Sequence, residues 1–483
     1  MRSLCFALAL TLISAASYAA PAGDQASQSF SPGSTRTVSG TRIGHYEDGP
    51  VPVDLSVRPV AANVPDGSGG YTVISGSGTS AGAFTIPNVP VGFYLLRLGS
   101  FYVWTRNSVV DADFHWDFRS TGVMADSNST MTFDLTHLRA WRSTDFFEVV
   151  CPNNAAFDLF PGTVGETTFT GTFPYIGNLS DASLGDQYYM FQLMTQKVKG
   201  YSFTALGRYI APPKFTQQQG SDTAIDGRLR TIAQTGKFEA NVNGADLAAQ
   251  TMAANPKAVM TDTTILLDVY PGTMAKGFGT STPDLVAYNF GTGEPFITTN
   301  GDLGQILYGN PFPPAKWPLF ASYSYAAATT YVAPGATNGA PITSLVLDYN
   351  PTLPTSQSPM TPLVGVVQNP SINGRNFFQD RIGVGSIPLL KWSAPSVGTA
   401  TFYEVQVYEL TNDGAGNTVI NLIFRLRTQN TSLRIPPGRL TTGLGYVFVI
   451  RPYYVPGLNF VKTPFMSGPT SALADVLSGM MQP

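Results

Sequence analysis

The stretch that decides the fold is Pro388-Leu389-Leu390-Lys391-Trp392-Ser393-Ala394-Pro395, followed by Phe402-Tyr403-Glu404-Val405-Gln406-Val407-Tyr408 and later by Tyr446-Val447-Phe448-Val449-Ile450. Successive side chains on a strand point to opposite faces. Tyr403, Val405 and Val407 therefore share one face, as do Tyr446, Phe448 and Ile450. In a β-sandwich such alternate residues face the core. Asn412-Asp413-Gly414-Ala415-Gly416-Asn417 is a turn cluster between strands.

These runs resemble a fibronectin type III domain, over roughly 361–455. Trp392 matches the core tryptophan of an early strand. Leu440, six residues before Tyr446, matches the spacing of the Leu…Tyr corner, in which the Tyr hydroxyl ties down a loop. The resemblance implies a module that holds, spaces or binds, and seldom catalyses. The Arg-Gly-Asp adhesion motif of some such domains is absent.

Toward the N-terminus, Val38–Ile43 and Val53-Asp54-Leu55-Ser56-Val57 alternate like half-buried strands. Gly82-Ala83-Phe84-Thr85-Ile86, Val89-Pro90-Val91-Gly92 and Tyr94-Leu95-Leu96 follow. This order of strand, turn and strand resembles the carboxypeptidase regulatory-like (prealbumin-type) sandwich, over roughly 37–118. The resemblance implies an accessory, non-catalytic module.

The middle, 130–359, carries β signals but matches no family pattern that we recognise. Tyr189, Phe191 and Leu193 share a strand face, and Tyr201, Phe203 and Ala205 do the same after a turn at Lys199-Gly200. Thr264–Tyr270 is an apolar run, and Leu319–Tyr325 is another strand. Asn243, the Ala- and Leu-rich 245–254 and Pro256 predict one helix. A second short helix is expected over Ser471–Met480. Pro334–Pro341 and Asn350–Pro362 read as linkers or long loops.

Composition agrees with an all-β chain. Charged residues make up 12% of it, well below the roughly 25% of ordinary soluble proteins. The 48 Gly and 37 Pro suit short strands joined by tight turns, and a hydrophobic fraction of 43% argues against disorder. A net charge of −3 gives no overall basic field for nucleic acid.

Residues 1–19 have the form of a secretory signal. Arg2 precedes the apolar run Leu4–Ile13, and Ser17-Tyr18-Ala19 has the pattern of a cleavage site. The run is too short to span a membrane, and no later stretch is long enough. With Cys5 in the signal, Cys151 stands alone and no intramolecular disulfide can form.

The expected organisation is therefore a signal (1–19), a flexible lead-in (20–36), a regulatory-like sandwich (37–118), a mainly-β region of one large or two small modules (130–359), a fibronectin-like domain (361–470) and a tail (471–483). The expected fold class is all-β, a string of antiparallel β-sandwich modules with one or two short helices.

Candidate chemistry is sparse. Gly78-Thr79-Ser80-Ala81-Gly82 spells a nucleophile elbow, but a strand follows it where a helix is required. Asp111, Asp113, His115 and Asp117 share one face if they lie on a strand. The outer members are then roughly 13 Å apart, too far for one cation to reach all four. The simpler reading is a solvated polar face opposite an aromatic core face of Ala112, Phe114, Trp116 and Phe118. Cys151 would need a histidine to act as a nucleophile, and only His45, His115 and His137 exist. Trp141 packs at a domain junction or stacks on a sugar. Proline content and irregular strand spacing argue against a transmembrane barrel.

No residue is assigned as catalytic, cofactor-binding or metal-binding, and no cofactor is called for. The expected role is a secreted or cell-surface, non-enzymatic protein of adhesion, matrix or envelope structure, or display of a binding site for protein or carbohydrate. Its paired modules resemble those of exported bacterial proteins. The alternative is an extracellular polysaccharide hydrolase with its active site in 130–359, recognisable by carboxylates converging in a cleft.

Overall fold

A computed structural model describes residues 34–175, 177–270, 282–288, 294–466 and 471–483; the expected signal and most of the expected lead-in lie outside them. The described chain is all-β, with one α-helix. That helix is too short to cross a membrane, a criterion that does not bear on β-barrels.

The strand faces read from the C-terminal sequence meet as expected. Phe402–Asn412 pairs antiparallel with Gly445–Tyr454, setting Val405 opposite Ile450 and Val407 opposite Phe448. All four side chains are fully buried. A second sheet, in which Leu389–Ser393 lies between Gln368–Ile372 and Ser432–Arg434, closes over them. Leu390, Trp392 and Leu433 from that sheet share one core with Val405, Phe424 and Phe448. The Trp392 ring meets Tyr403 edge-on at 5.4 Å. The Tyr446 hydroxyl accepts from the Thr441 backbone N–H at 2.9 Å and donates to Glu409 at 3.1 Å.

The N-terminal part is also two-layered. Thr35–Thr41 lies between Ala83–Pro90 and Val109–Asp111. Opposite it, Val60–Pro65, Tyr94–Leu98 and Phe101–Thr105 pair in turn. Val38, Phe84 and Ile86 of one layer pack with Ala62, Leu96 and Val103 of the other. One expected strand here is a turn. The Asp54 carboxylate accepts from the N–H and hydroxyl of Ser56, which bends 53–57, buries Leu55 and leaves Val57 79% exposed.

The sequence segments are joined edge to edge. From one end, a single sheet runs Ala156–Pro161, Phe146–Cys151, Tyr189–Val198, Tyr201–Ile210, Asp284–Tyr288, Val259–Val269, Leu319–Tyr331, Ala340–Asn350, Ser471–Ala474, Gly445–Tyr454, Phe402–Asn412, Thr418–Thr428, Phe101–Thr105, Tyr94–Leu98, Val60–Pro65 and Tyr71–Ser75. Along this path pairing is antiparallel except between Thr418–Thr428 and Phe101–Thr105.

Ser471–Met480, expected as a helix, instead forms strands Ser471–Ala474 and Val476–Leu477. Ser471–Ala474 pairs with Ala340–Asn350 on one side and Gly445–Tyr454 on the other, with all four residues buried. Two open ladder edges outweigh the helix propensity of Ala and Leu. The Pro334–Pro341 stretch is a hairpin loop whose last two residues already belong to Ala340–Asn350.

The expected turn at Lys199-Gly200 has positive φ at both residues (50° and 92°), which suits the twist of a two-residue hairpin. The expected helix forms over Gly244–Met252. Asn243 makes no side-chain cap bond there; the Asn300 side chain accepts from the Ala245 N–H instead.

Candidate functional site: a sealed carboxyl cluster

Three carboxyl side chains of the middle region converge. Asp268 lies near the end of Val259–Val269, and Asp284 opens Asp284–Tyr288. Cross-strand register sets the two opposite each other, just after a break in the pairing at Leu267. Glu148 comes from Phe146–Cys151, and its Oε1 accepts from the Asp284 backbone N–H at 3.3 Å. Two buried carboxyls set opposite each other disfavour double ionisation, which favours a proton on one of them.

The cluster is closed to solvent. Glu148, Asp268 and Asp284 are 0%, 2% and 4% exposed. Phe320 stands opposite Asp268 in the pairing, and its ring lies between those of Tyr270 and Tyr349 at 6.2 and 6.0 Å. Among the described residues, Glu148 Oε2, Asp268 Oδ1 and Asp284 Oδ2 have no hydrogen-bond partner.

Burial without a cation favours the neutral acid. It pushes Glu148 well above the usual carboxylate range, with the Asp284 charge adding to the effect. Asp268 rises for the same two reasons. Burial lifts Asp284 to about 7, opposed by the hydrogen bond from Asp268. Tyr349 is raised by burial and by these two aspartates. The arrangement can hold and share protons. Among the described residues, no group of three or more His, Cys, Asp or Glu is disposed to hold a metal ion.

The residues singled out from sequence do not converge on this cluster. Ser80 sits in the exposed turn before Ala83–Pro90, where the Gly82 N–H closes back onto the Thr79 carbonyl, so the elbow motif is a hairpin turn. The Asp111–Asp117 stretch is not one strand, because pairing breaks at residues 112–113. Asp113 and His115 both meet His45, while Asp111 and Asp117 have other partners. Asp111 accepts from the Asp113 N–H; Asp113 accepts from Ile43, Thr41 and His45; His115 stacks on His45 at 4.5 Å; Asp117 accepts from the Tyr270 hydroxyl. Phe114 and Phe118 meet Tyr46 edge-on and Trp116 packs on both; all three are half-buried and do not form a core face.

Cys151 is fully buried, and burial pushes its thiol up to about 12. Such a thiol is not a nucleophile at neutral pH. Trp141 is 2% exposed, packed on Phe169 within a core cluster, with its indole N–H on the Thr168 carbonyl. It presents no face to a sugar. His137 is exposed and its ring meets only the adjacent Thr136 hydroxyl among the described side chains.

No protein-family model matches this chain, and no curated protein matches it in sequence.

Proposed function

We propose that this chain is an exported, non-enzymatic β-sandwich protein of the cell surface or periplasm. It would act in adhesion, in envelope or matrix structure, or in the display of a ligand-binding surface. The secretory-type leader and the two module resemblances support export and a binding role. The Tyr446 corner and the buried Trp392 support the fibronectin-like reading of the C-terminal part.

The observation that carries the non-enzymatic reading is the closure of the Glu148–Asp268–Asp284 cluster. A polysaccharide hydrolase needs one ionised carboxylate and one acid on either side of a bond that the substrate can bring to them. Here the grouped carboxyls of the middle region are closed to solvent, with Phe320 opposite Asp268 in the ladder. Such a cluster has no room for a sugar chain and serves the fold.

The test is a pelleting assay of residues 20–483 with insoluble polysaccharides and cell-envelope fractions. Saturable retention on at least one is expected. Failure to pellet with any of them would overturn the binding reading.

A further inference from the structure

Positive charge gathers where the N-terminal strands meet the C-terminal ones. The Gly99-Ser100 turn joins Tyr94–Leu98 to Phe101–Thr105 at this seam. Arg97 Nε donates to the Gly99 carbonyl at 3.2 Å. The Arg58 stem packs over Gly99, whose missing Cβ would lie 3.7 Å from Arg58 Cδ. The Arg425 backbone N–H donates to the Ser100 carbonyl. The guanidinium groups of Arg42 and Arg425 lie 4.9 and 6.0 Å from the Phe101 ring centre. Arg42 also meets Phe114 at 5.4 Å and Phe465 at 5.1 Å.

The nearby carboxylates have other direct partners, although Glu404 also feels Arg425, Asp113 acts on Arg42, and Asp54 feels Arg58. Glu404 is held by Arg427 at 2.8 Å, Asp113 by His45, and Asp54 by Ser56. Among the described residues, Arg42, Arg58, Arg97 and Arg425 enter no salt bridge. Arg58 is exposed, and the other three are partly so. Burial, then Arg427 and Arg58, lower Arg42 to about 10, so it stays protonated at neutral pH while feeling its neighbours' charge. Arg42 Nη1 donates to the Ala112 carbonyl and Arg58 Nε to the Asp54 carbonyl; the remaining guanidinium N–H groups suit carboxylate, sulfate or phosphate oxygens. A chain with a net charge of −3 thus carries a local cationic surface.

Building on the proposed binding role, we propose that the Gly99-Ser100 turn with Arg42, Arg58, Arg97 and Arg425 is a docking surface for an acidic polysaccharide. Repeated anionic groups along one chain match several guanidinium edges around one turn. A lipid surface would call for an apolar face beside the arginines, and the large exposed apolar side chain in the adjoining 53–59 loop is Val57 alone. Single-stranded nucleic acid would call for an open ring to stack on, and Arg42 and Arg425 already lie over Phe101.

The probes are polygalacturonate and neutral amylose of similar length, titrated into residues 20–483. Binding to polygalacturonate alone is expected, weakening about tenfold or more between low and physiological salt. The Arg58→Ala/Arg97→Ala/Arg425→Ala variant should lose about tenfold or more. The Arg228→Ala/Arg230→Ala/Lys237→Ala variant removes the same charge from exposed sites elsewhere and should bind like wild type. Equal binding of amylose, or undiminished binding by the seam variant, would overturn the proposal. So would equal losses in the two variants, or a preference for phosphatidylglycerol vesicles. If envelope fractions still retain the protein while polygalacturonate does not bind, this inference falls and the broader binding role stands.

Discussion

Asp268 and Asp284 face each other in register across neighbouring antiparallel strands, both buried, and neither forms an ion pair among the described residues. Glu148 closes the group from a third strand. Buried acids held this way bind protons more tightly folded than unfolded, which makes the fold sensitive to alkali.

The direction of the pH effect follows from linkage. A carboxyl whose folded pKa is raised contributes stability that is fully present below its unfolded pKa and is lost as pH rises through the folded value. For Asp284 the window runs from the ordinary 3.8 to about 7. Glu148 and Asp268 act in the same sense, and burial alone lifts Asp158 to about 6. The slope limit is about 1.4 kcal/mol per pH unit for each group. Glu404 acts oppositely. Burial raises it, but Arg427, Arg425, Arg451 and the Gln406 hydrogen bond together outweigh this and leave it at about 2, so its contribution is lost only as pH falls below the ordinary 4.5. Thermal midpoints between pH 3 and 9 should peak at about pH 4–5 and fall toward pH 8. A rise from pH 4 to 7 would contradict the assignment.

Asp284→Asn removes one ionisation and keeps the shape. It should flatten that fall, raising stability at pH 8 by about 1–3 kcal/mol and leaving it level or slightly lower at pH 4. Urea unfolding at the two pH values measures the difference. Equal changes at both would show that Asp284 does not titrate in this range.

Tyr446→Phe deletes the hydroxyl that joins Thr441 to Glu409. A loss of about 1–2 kcal/mol is expected in urea unfolding, with native spectra retained. A neutral result would mean that water replaces both bonds.

Arg451 and Asp475 form a buried pair, with Nε and Nη2 on the two carboxylate oxygens at 2.6 and 2.8 Å. Arg451→Ala strands the Asp475 charge and should cost about 3–5 kcal/mol. Replacing both, as Arg451→Met/Asp475→Leu, should cost less than either single change. A double-mutant cycle reads the coupling, and additive losses would exclude it.

The fold class was legible because period-two patterning survives in the strands that carry the core. Val405, Val407, Phe448 and Ile450 alternate in sequence and meet in space. Tyr446 and Trp392 were legible because their chemistry depends on local spacing. Ser471–Met480 was misread, since its Ala and Leu favour a helix until two distant strands claim it. The carboxyl cluster escaped because Glu148 and Asp284 are separated by 136 residues along the chain. A trace was present: Asp268 sits inside the apolar run Thr264–Tyr270, and Glu148 inside Phe146-Phe147-Glu148-Val149-Val150. A carboxylate embedded in an apolar strand must be protonated, paired or functional. The arginine seam was hidden by the net charge, because its members come from both ends of the chain.

The most direct test of the central claim is release of soluble sugar from the polysaccharides that retain the protein, measured for wild type and Asp284→Asn in the same tubes. The account predicts retention by both and no product above buffer from either. Product from wild type that Asp284→Asn abolishes would contradict it, making the carboxyl cluster an active site that opens to substrate.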